Sequence, residues 1–181
     1  MIAVMFPSHV ARLLPLSDGD VALEDGQRVF LAGETVRHLF VVRAGGVQML
    51  RRQASGAALV VQRGRPGGLL AEASLFAQRY HCDAFATAPT LLARIPKARV
   101  VDLQAQEPGW LLEFAAHLAA EVQRTRARAE LLSLRKVGER IDAWLSLEQA
   151  EIPARGRWAD WAGELGVSPE ALYRELAKRR P

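Results

Sequence analysis

Residues 158 to 180 read WADWAGELGVSPEALYRELAKRR. The stretch predicts two short helices, Ala159 to Leu165 and Pro169 to Arg179, separated by Gly166-Val167-Ser168. Gly166 can take the left-handed conformation that closes a helix, Ser168 can cap the next one, and Pro169 suits a first helical position, where its missing N–H costs nothing. Ala162 is small where the two helices must cross. Trp161, Leu165, Val167, Leu172 and Leu176 recur at the spacing of a shared apolar core, with Val167 as a plug between the helices. The passage reads as a helix-turn-helix.

The second helix then displays Glu170, Tyr173, Arg174 and Ala177, with Lys178, Arg179 and Arg180 beyond. In a DNA-binding unit of this kind the start of the second helix enters the major groove, where arginine contacts guanine and a carboxylate accepts from cytosine. Glu170 and Arg174 are four apart and share a face. Ser168, Glu170, Tyr173, Arg174, Lys178, Arg179 and Arg180 are therefore the candidate DNA-binding residues. The bland alternative is an αα-hairpin in which Glu170 and Arg174 form a surface pair of about 0.2–0.5 kcal/mol.

Toward the amino terminus, EIPARG (Glu151 to Gly156) reads as a loop. From Pro108 to about Gln149 glycine and proline are scarce and Ala, Leu, Glu and Arg abound, which favours long helices. Leu111, Ala115, Leu118, Val122, Thr125, Ala129 and Leu132 follow alternating spacings of four and three, a heptad seam. Charged residues flank that stripe, so a parallel homodimer through this helix is expected; the competing reading is one amphipathic helix packed on its own domain. Leu112, Phe114, Ala116 and Ala119 add apolar surface near the start. Gly138 is expected to break the helix, with Ile141, Trp144, Leu145 and Leu147 on a second one.

Before Pro96 the pattern changes to short apolar runs punctuated by glycine: Gln27 to Leu31, His38 to Arg43, Gly46 to Arg52, Ala57 to Gln62, Cys82 to Ala86 and Thr90 to Pro96. Asp25-Gly26, Gly33-Glu34, Ala44-Gly45-Gly46, Ser55-Gly56 and Pro66-Gly67-Gly68 supply turns. This is how a many-stranded antiparallel barrel or sandwich reads. The expected organisation is a β domain over residues 1–107, a dimerisation helix over 108–135 and a helix-turn-helix domain over 136–181.

The chain has 181 residues, half of them apolar, with 24 Lys and Arg against 20 Asp and Glu, a net +4. That composition excludes a disordered or collagen-like chain, and the charge permits an acidic partner without requiring one. Cys82 is the one cysteine, too few for a disulfide or a cysteine-ligated metal or iron–sulfur site. No stretch approaches the ~20 apolar residues of a membrane span, and the first residues, MIAVMFPSHV, lack a basic leader pattern, so a cytoplasmic location without membrane contact is expected. His9, His38, His81 and His117 are scattered, with no HxH, H-E-x-x-H or phosphate-cradling glycine loop, so neither an enzyme nor a cofactor is expected.

A β domain, a heptad helix and a helix-turn-helix in this order resemble the CRP/FNR family of bacterial transcription regulators, over nearly the whole chain. The resemblance is carried by Gly33-Glu34 followed by HLFVVRAGGVQML, by GGLLAEASLFAQRYHCDAFATAPT, and by ELGVSPEALYREL. It implies an α+β protein: an antiparallel jelly roll of cyclic-nucleotide-binding type, a long dimerisation helix and a carboxy-terminal helix-turn-helix binding partly palindromic DNA as a two-fold pair. It further implies RNA polymerase as a partner and an unidentified small-molecule effector. LLAEASLF resembles the family's phosphate-binding cassette, which places Glu72, Ala73, Ser74, Cys82 and Asp83 at the expected effector pocket.

Glu72 matches the family's ribose contact. Cys82 and Asp83, however, stand where cyclic-nucleotide binders carry an arginine and a serine or threonine. A phosphate facing Asp83 without that arginine loses a charge-assisted hydrogen bond and gains a repulsion, so cyclic AMP is not the expected ligand. Cys82 beside His81 also raises a redox-sensing reading, against that of a small core residue. At the DNA end, Glu170 and Arg174 fall on the family's base-contacting glutamate and arginine, Pro169 replaces a further arginine, and Glu175 occupies a usually apolar position, which suggests looser packing around Leu176. The chain ends at Pro181, where family members continue into a β-hairpin wing; its phosphate contacts are expected to be absent or supplied by Arg155, Arg157, Lys178, Arg179 and Arg180. The alternative function is a ligand-binding or protein-docking module with a vestigial helix-turn-helix.

Overall fold

The computed structural model describes residues 5–52, 58–148 and 150–179. They form two compact units, Met1–Ala116 and His117–Pro181. In the first, eight strands, β1 (Gly19–Leu23), β2 (Arg28–Phe30), β3 (His38–Ala44), β4 (Val47–Arg52), β5 (Ala58–Gly64), β6 (Leu69–Leu70), β7 (Asp83–Ala86) and β8 (Thr90–Pro96), follow a short helix α1 (Ser8–Ala11). They pair antiparallel as two four-stranded sheets, β1-β8-β3-β6 and β2-β7-β4-β5. This is the expected jelly roll.

Phe30, Phe40, Val42, Val47, Met49, Leu70, Tyr80, Ala84 and Leu92 are buried together in its core. Phe30 stacks on Tyr80 with ring centroids 4.0 Å apart. The chain passes from one sheet to the other between β3 and β4 and again between β7 and β8. Thr90 joins the two corners: its hydroxyl accepts from the Gly46 N–H at 3.0 Å and lies 2.9 Å from the Gly46 carbonyl and 2.8 Å from that of Ala88. Gly45 has φ +79°, and a Cβ there would lie 2.3 Å from the Pro89 carbonyl oxygen, so the corner needs glycine for conformation and for space. Each of the six apolar runs overlaps a strand, while Ser55, Gly56 and Ala57 lie outside the described residues. Short β1 and two-residue β6 carry little alternation and escape that reading.

Helices α2 (Lys97–Gln106) and α3 (Pro108–Ser133) follow β8. Trp110 and Phe114 at the start of α3 are fully buried and stacked 5.0 Å apart, and the Trp110 indole donates to the His9 carbonyl at 2.9 Å. Helix α2 was not anticipated. It lies between Pro96 and Pro108, where only Val100 and Leu103 are buried, too short an apolar pattern to mark a helix.

In the second unit, α4 (Val137–Glu148), α5 (Trp158–Leu165) and α6 (Pro169–Lys178) surround Leu131, Ile141, Trp161, Ala162, Leu165, Leu172 and Leu176. The break after α3 falls at residues 134–136 and not at Gly138, which sits in the first turn of α4. Gly138 serves packing: a Cβ there would lie 2.9 Å from Glu175 Oε1 and 3.1 Å from Arg179 Nη2. No described helix is long and apolar enough to cross a membrane.

Candidate nucleic-acid interface and effector pocket

The turn between α5 and α6 follows from its residues. Gly166 adopts φ +64°, and the Val167 N–H bonds the Ala162 carbonyl at 3.0 Å, the Schellman closure that satisfies an orphan helix carbonyl. Ser168 has extended backbone, its hydroxyl accepts from the Ala171 N–H at 3.2 Å, and Pro169 follows at the first helical position. Arg140 of α4 locks the turn from outside. It donates to the carbonyls of Leu134 (2.8 Å), Leu132, Leu165 and Gly166 (2.9 Å each), capping the ends of α3 and α5 with one guanidinium. Sequence reasoning missed Arg140, because a lone arginine inside a helix carries no local sign of which distant carbonyls it will meet.

Helix α6 presents Glu170, Tyr173, Arg174, Ala177 and Lys178 on its exposed side, and buries Leu172 and Leu176. Arg174 makes no ion pair among the described residues. Glu170 is fully exposed; its own backbone N–H and then the Ser168 hydroxyl hold its carboxyl below the usual carboxylate range. Ser168 is exposed at the start of the same face. Two expected DNA contacts are placed differently. Arg179 turns back from the face onto α4, donating to both Asp142 carboxylate oxygens at 2.5 and 3.0 Å and to the Gly138 carbonyl at 2.9 Å. Lys178 pairs with Glu175 at 3.1 Å. Arg180 lies outside the described residues.

Leu176, beside Glu175, is buried in the core of this unit. Glu175 fills the space that Gly138 leaves and reaches Arg179 at 3.9 Å. Arg155, exposed in a single 3-10 turn before α5, borders a cleft of about 170 Å³ with Trp158, Tyr173 and Ala177. The indole of Trp158 had not been singled out by its sequence position.

The seam on α3 remains largely uncovered within one chain: Leu111, Ala115, Val122, Thr125, Ala129 and Leu132 are exposed and Leu118 is half-buried.

In the β unit, Ala71 stands at φ 65° before a 3-10 turn over Glu72–Ser74. Glu72 is buried, with Oε1 accepting from the Gln62 amide at 2.9 Å, and Ala73 is exposed. Ser74 is buried with its hydroxyl 3.1 Å from His81 Nδ1. Burial, and then the nearby Arg51 charge, lower the His81 pKa. Asp83 is buried and already partnered: Oδ1 accepts from the Ala32 N–H at 2.9 Å and Oδ2 from Arg52 Nε at 3.2 Å. Cys82 departs from the pocket expectation. It is 1% exposed within the core cluster, and burial together with the Asp83 and Glu72 charges pushes its thiol up to about 11, against the lowering by Arg51. An unreactive packing residue fits this better than a sensor. No three described His, Cys, Asp or Glu side chains are grouped closely enough to hold a metal ion.

Residues 20–115 match the family model of the cyclic nucleotide-binding domain. No curated protein matches the chain in sequence. Among solved structures it is similar to FixK2 from Bradyrhizobium japonicum (16% identity, TM-score 0.72), covering 88% of this chain and 83% of that one. It is also similar to the c-di-GMP responsive global regulator CLP of Xanthomonas campestris (21%, TM-score 0.69, 94% and 89% covered). A third is the sensor domain of the transcriptional regulator DNR from Pseudomonas aeruginosa (25%, TM-score 0.56, 72% and 87% covered). With that family model matching more than half of its residues, the chain belongs to the cyclic nucleotide-binding domain family, and its fold is similar to those of these regulators.

Proposed function

We propose that the chain is a homodimeric, sequence-specific DNA-binding transcription regulator that does not respond to cyclic AMP. The observation that carries this is the exposed face of α6. Glu170 and Arg174 stand one helical turn apart on a helix whose start is fixed by Gly166, Ser168 and Pro169, and Arg174 makes no ion pair among the described residues. The exposed α3 seam supports a parallel pairing of two copies, which sets two α6 helices against half-sites about 10 base pairs apart. Double-stranded DNA, a second copy and, in the cell's cytoplasm, RNA polymerase are the partners.

The described effector residues support the lack of a cyclic AMP response. Two buried carboxylates, Glu72 and Asp83, occupy the pocket, and each already holds a protein donor. A phosphate entering there meets negative charge, and the position that would supply a cation is Cys82 in the core. Selection of duplexes from a random pool tests the reading. A partly palindromic site with that spacing, bound with unchanged affinity when cyclic AMP is added, is expected. Recovery of no shared site refutes it in favour of a ligand-binding or docking module with a vestigial helix pair.

A further inference from the structure

We propose that the cleft formed by Arg155, Trp158, Tyr173 and Ala177 binds one sugar–phosphate unit of duplex DNA beside the base-reading face of α6, an inference that rests on the DNA-binding reading above. Tyr173 and Ala177 are four apart and form one edge of α6, next to the strip carrying Glu170 and Arg174. A duplex whose base edges meet that strip runs its backbone along this edge.

The cleft's chemistry suits that backbone. Its walls are two aromatic rings, Trp158 and Tyr173, with centroids 5.6 Å apart and tilted by 46°. Trp158 is fixed by donation of its indole N–H to the Pro153 carbonyl at 2.8 Å. The Arg155 guanidinium stands 6.0 Å from the Trp158 ring centroid, within cation–π range, and makes no ion pair among the described residues. Its planar fork of donors matches two phosphate oxygens, while the rings offer an apolar surface to a deoxyribose. Arg157, two residues further on, is exposed and equally without an ion pair among the described residues, so the segment presents unneutralised charge to a polyanion. At about 170 Å³ the cleft is smaller than the ~300 Å³ from which small-molecule sites usually begin, which disfavours a metabolite.

The assignment predicts a contact without sequence information. Duplex affinity is measured against salt concentration for the full chain, Arg155→Gln, Arg155→Lys and Arg174→Ala, on a selected duplex and on its scrambled counterpart. Arg155→Gln is expected to weaken both duplexes alike, about fivefold per subunit at 0.15 M salt, and to flatten the log–log salt slope by about 0.9 per subunit. Arg155→Lys restores most of the slope. If Arg155→Gln leaves affinity and slope unchanged while Arg174→Ala still erodes preference, the cleft is not a phosphate site although the DNA-binding reading stands. A changed preference in Arg155→Gln also overturns the assignment, since it would make Arg155 a base reader. If the full chain prefers no duplex, both readings fall.

Discussion

Arg140 donates to the Gly166 carbonyl at 2.9 Å, so a side chain of α4 closes the turn between α5 and α6. The same guanidinium reaches Leu132, Leu134 and Leu165, and a Cβ on Gly166 would meet Arg140 Nη1 at 3.2 Å and Leu132 Cδ2 at 2.6 Å. The presentation of α6 is thus set by a charged clamp as well as by the apolar core.

Arg140→Ala removes four charge-assisted bonds from carbonyls at helix ends. It is expected to lower stability by about 2–3 kcal/mol, read as a shift in the urea midpoint. Arg140→Lys should recover little, because one ammonium cannot span four carbonyls.

The Asp142–Arg179 pair makes the carboxy-terminal unit acid-sensitive. Hydrogen bonding by Arg179 holds the Asp142 carboxyl below its usual range, so its stabilisation is complete above the ordinary carboxylate pKa and fades as pH falls through and below about 4. With Asp142 65% exposed, Asp142→Asn should cost only about 0.5–1 kcal/mol at pH 7. The difference between variant and parent should shrink toward pH 3 in urea titrations.

Gly45→Ala forces a side chain into a left-handed position and against the Pro89 carbonyl. A loss of about 2–4 kcal/mol is expected from combined strain and overpacking, seen as a lowered thermal midpoint of the β unit.

Cys82 should behave as a core residue. Ellman's reagent at pH 8 is expected to modify it only in denaturant, and Cys82→Ala should leave duplex affinity unchanged under oxidising and reducing conditions alike.

What was legible in the sequence is what local chemistry determines. Gly166, Ser168 and Pro169 specify a turn whatever surrounds them, and the apolar runs of β3, β4 and β8 mark strands because each supplies buried side chains to the same core. The helix break near Gly138 was misplaced because glycine there answers a distant need, room for Glu175 and Arg179, and not a local one. Arg179 read as a free cation at a helix end; only the fold brings Asp142 to it. The candidate effector residues were chosen by resemblance around Glu72, but the internal partners Gln62, Arg52 and Ala32 come from other strands and loops and leave no mark near residue 72.

The central claim, that α6 reads base sequence through Arg174, is tested most directly by the ratio of affinities for a selected duplex and a scrambled one, measured at fixed salt. The account predicts a high ratio for the parent chain, and for Arg174→Ala a fall equivalent to about 1–3 kcal/mol per half-site with scrambled-duplex binding little changed. An unchanged ratio in Arg174→Ala would contradict it.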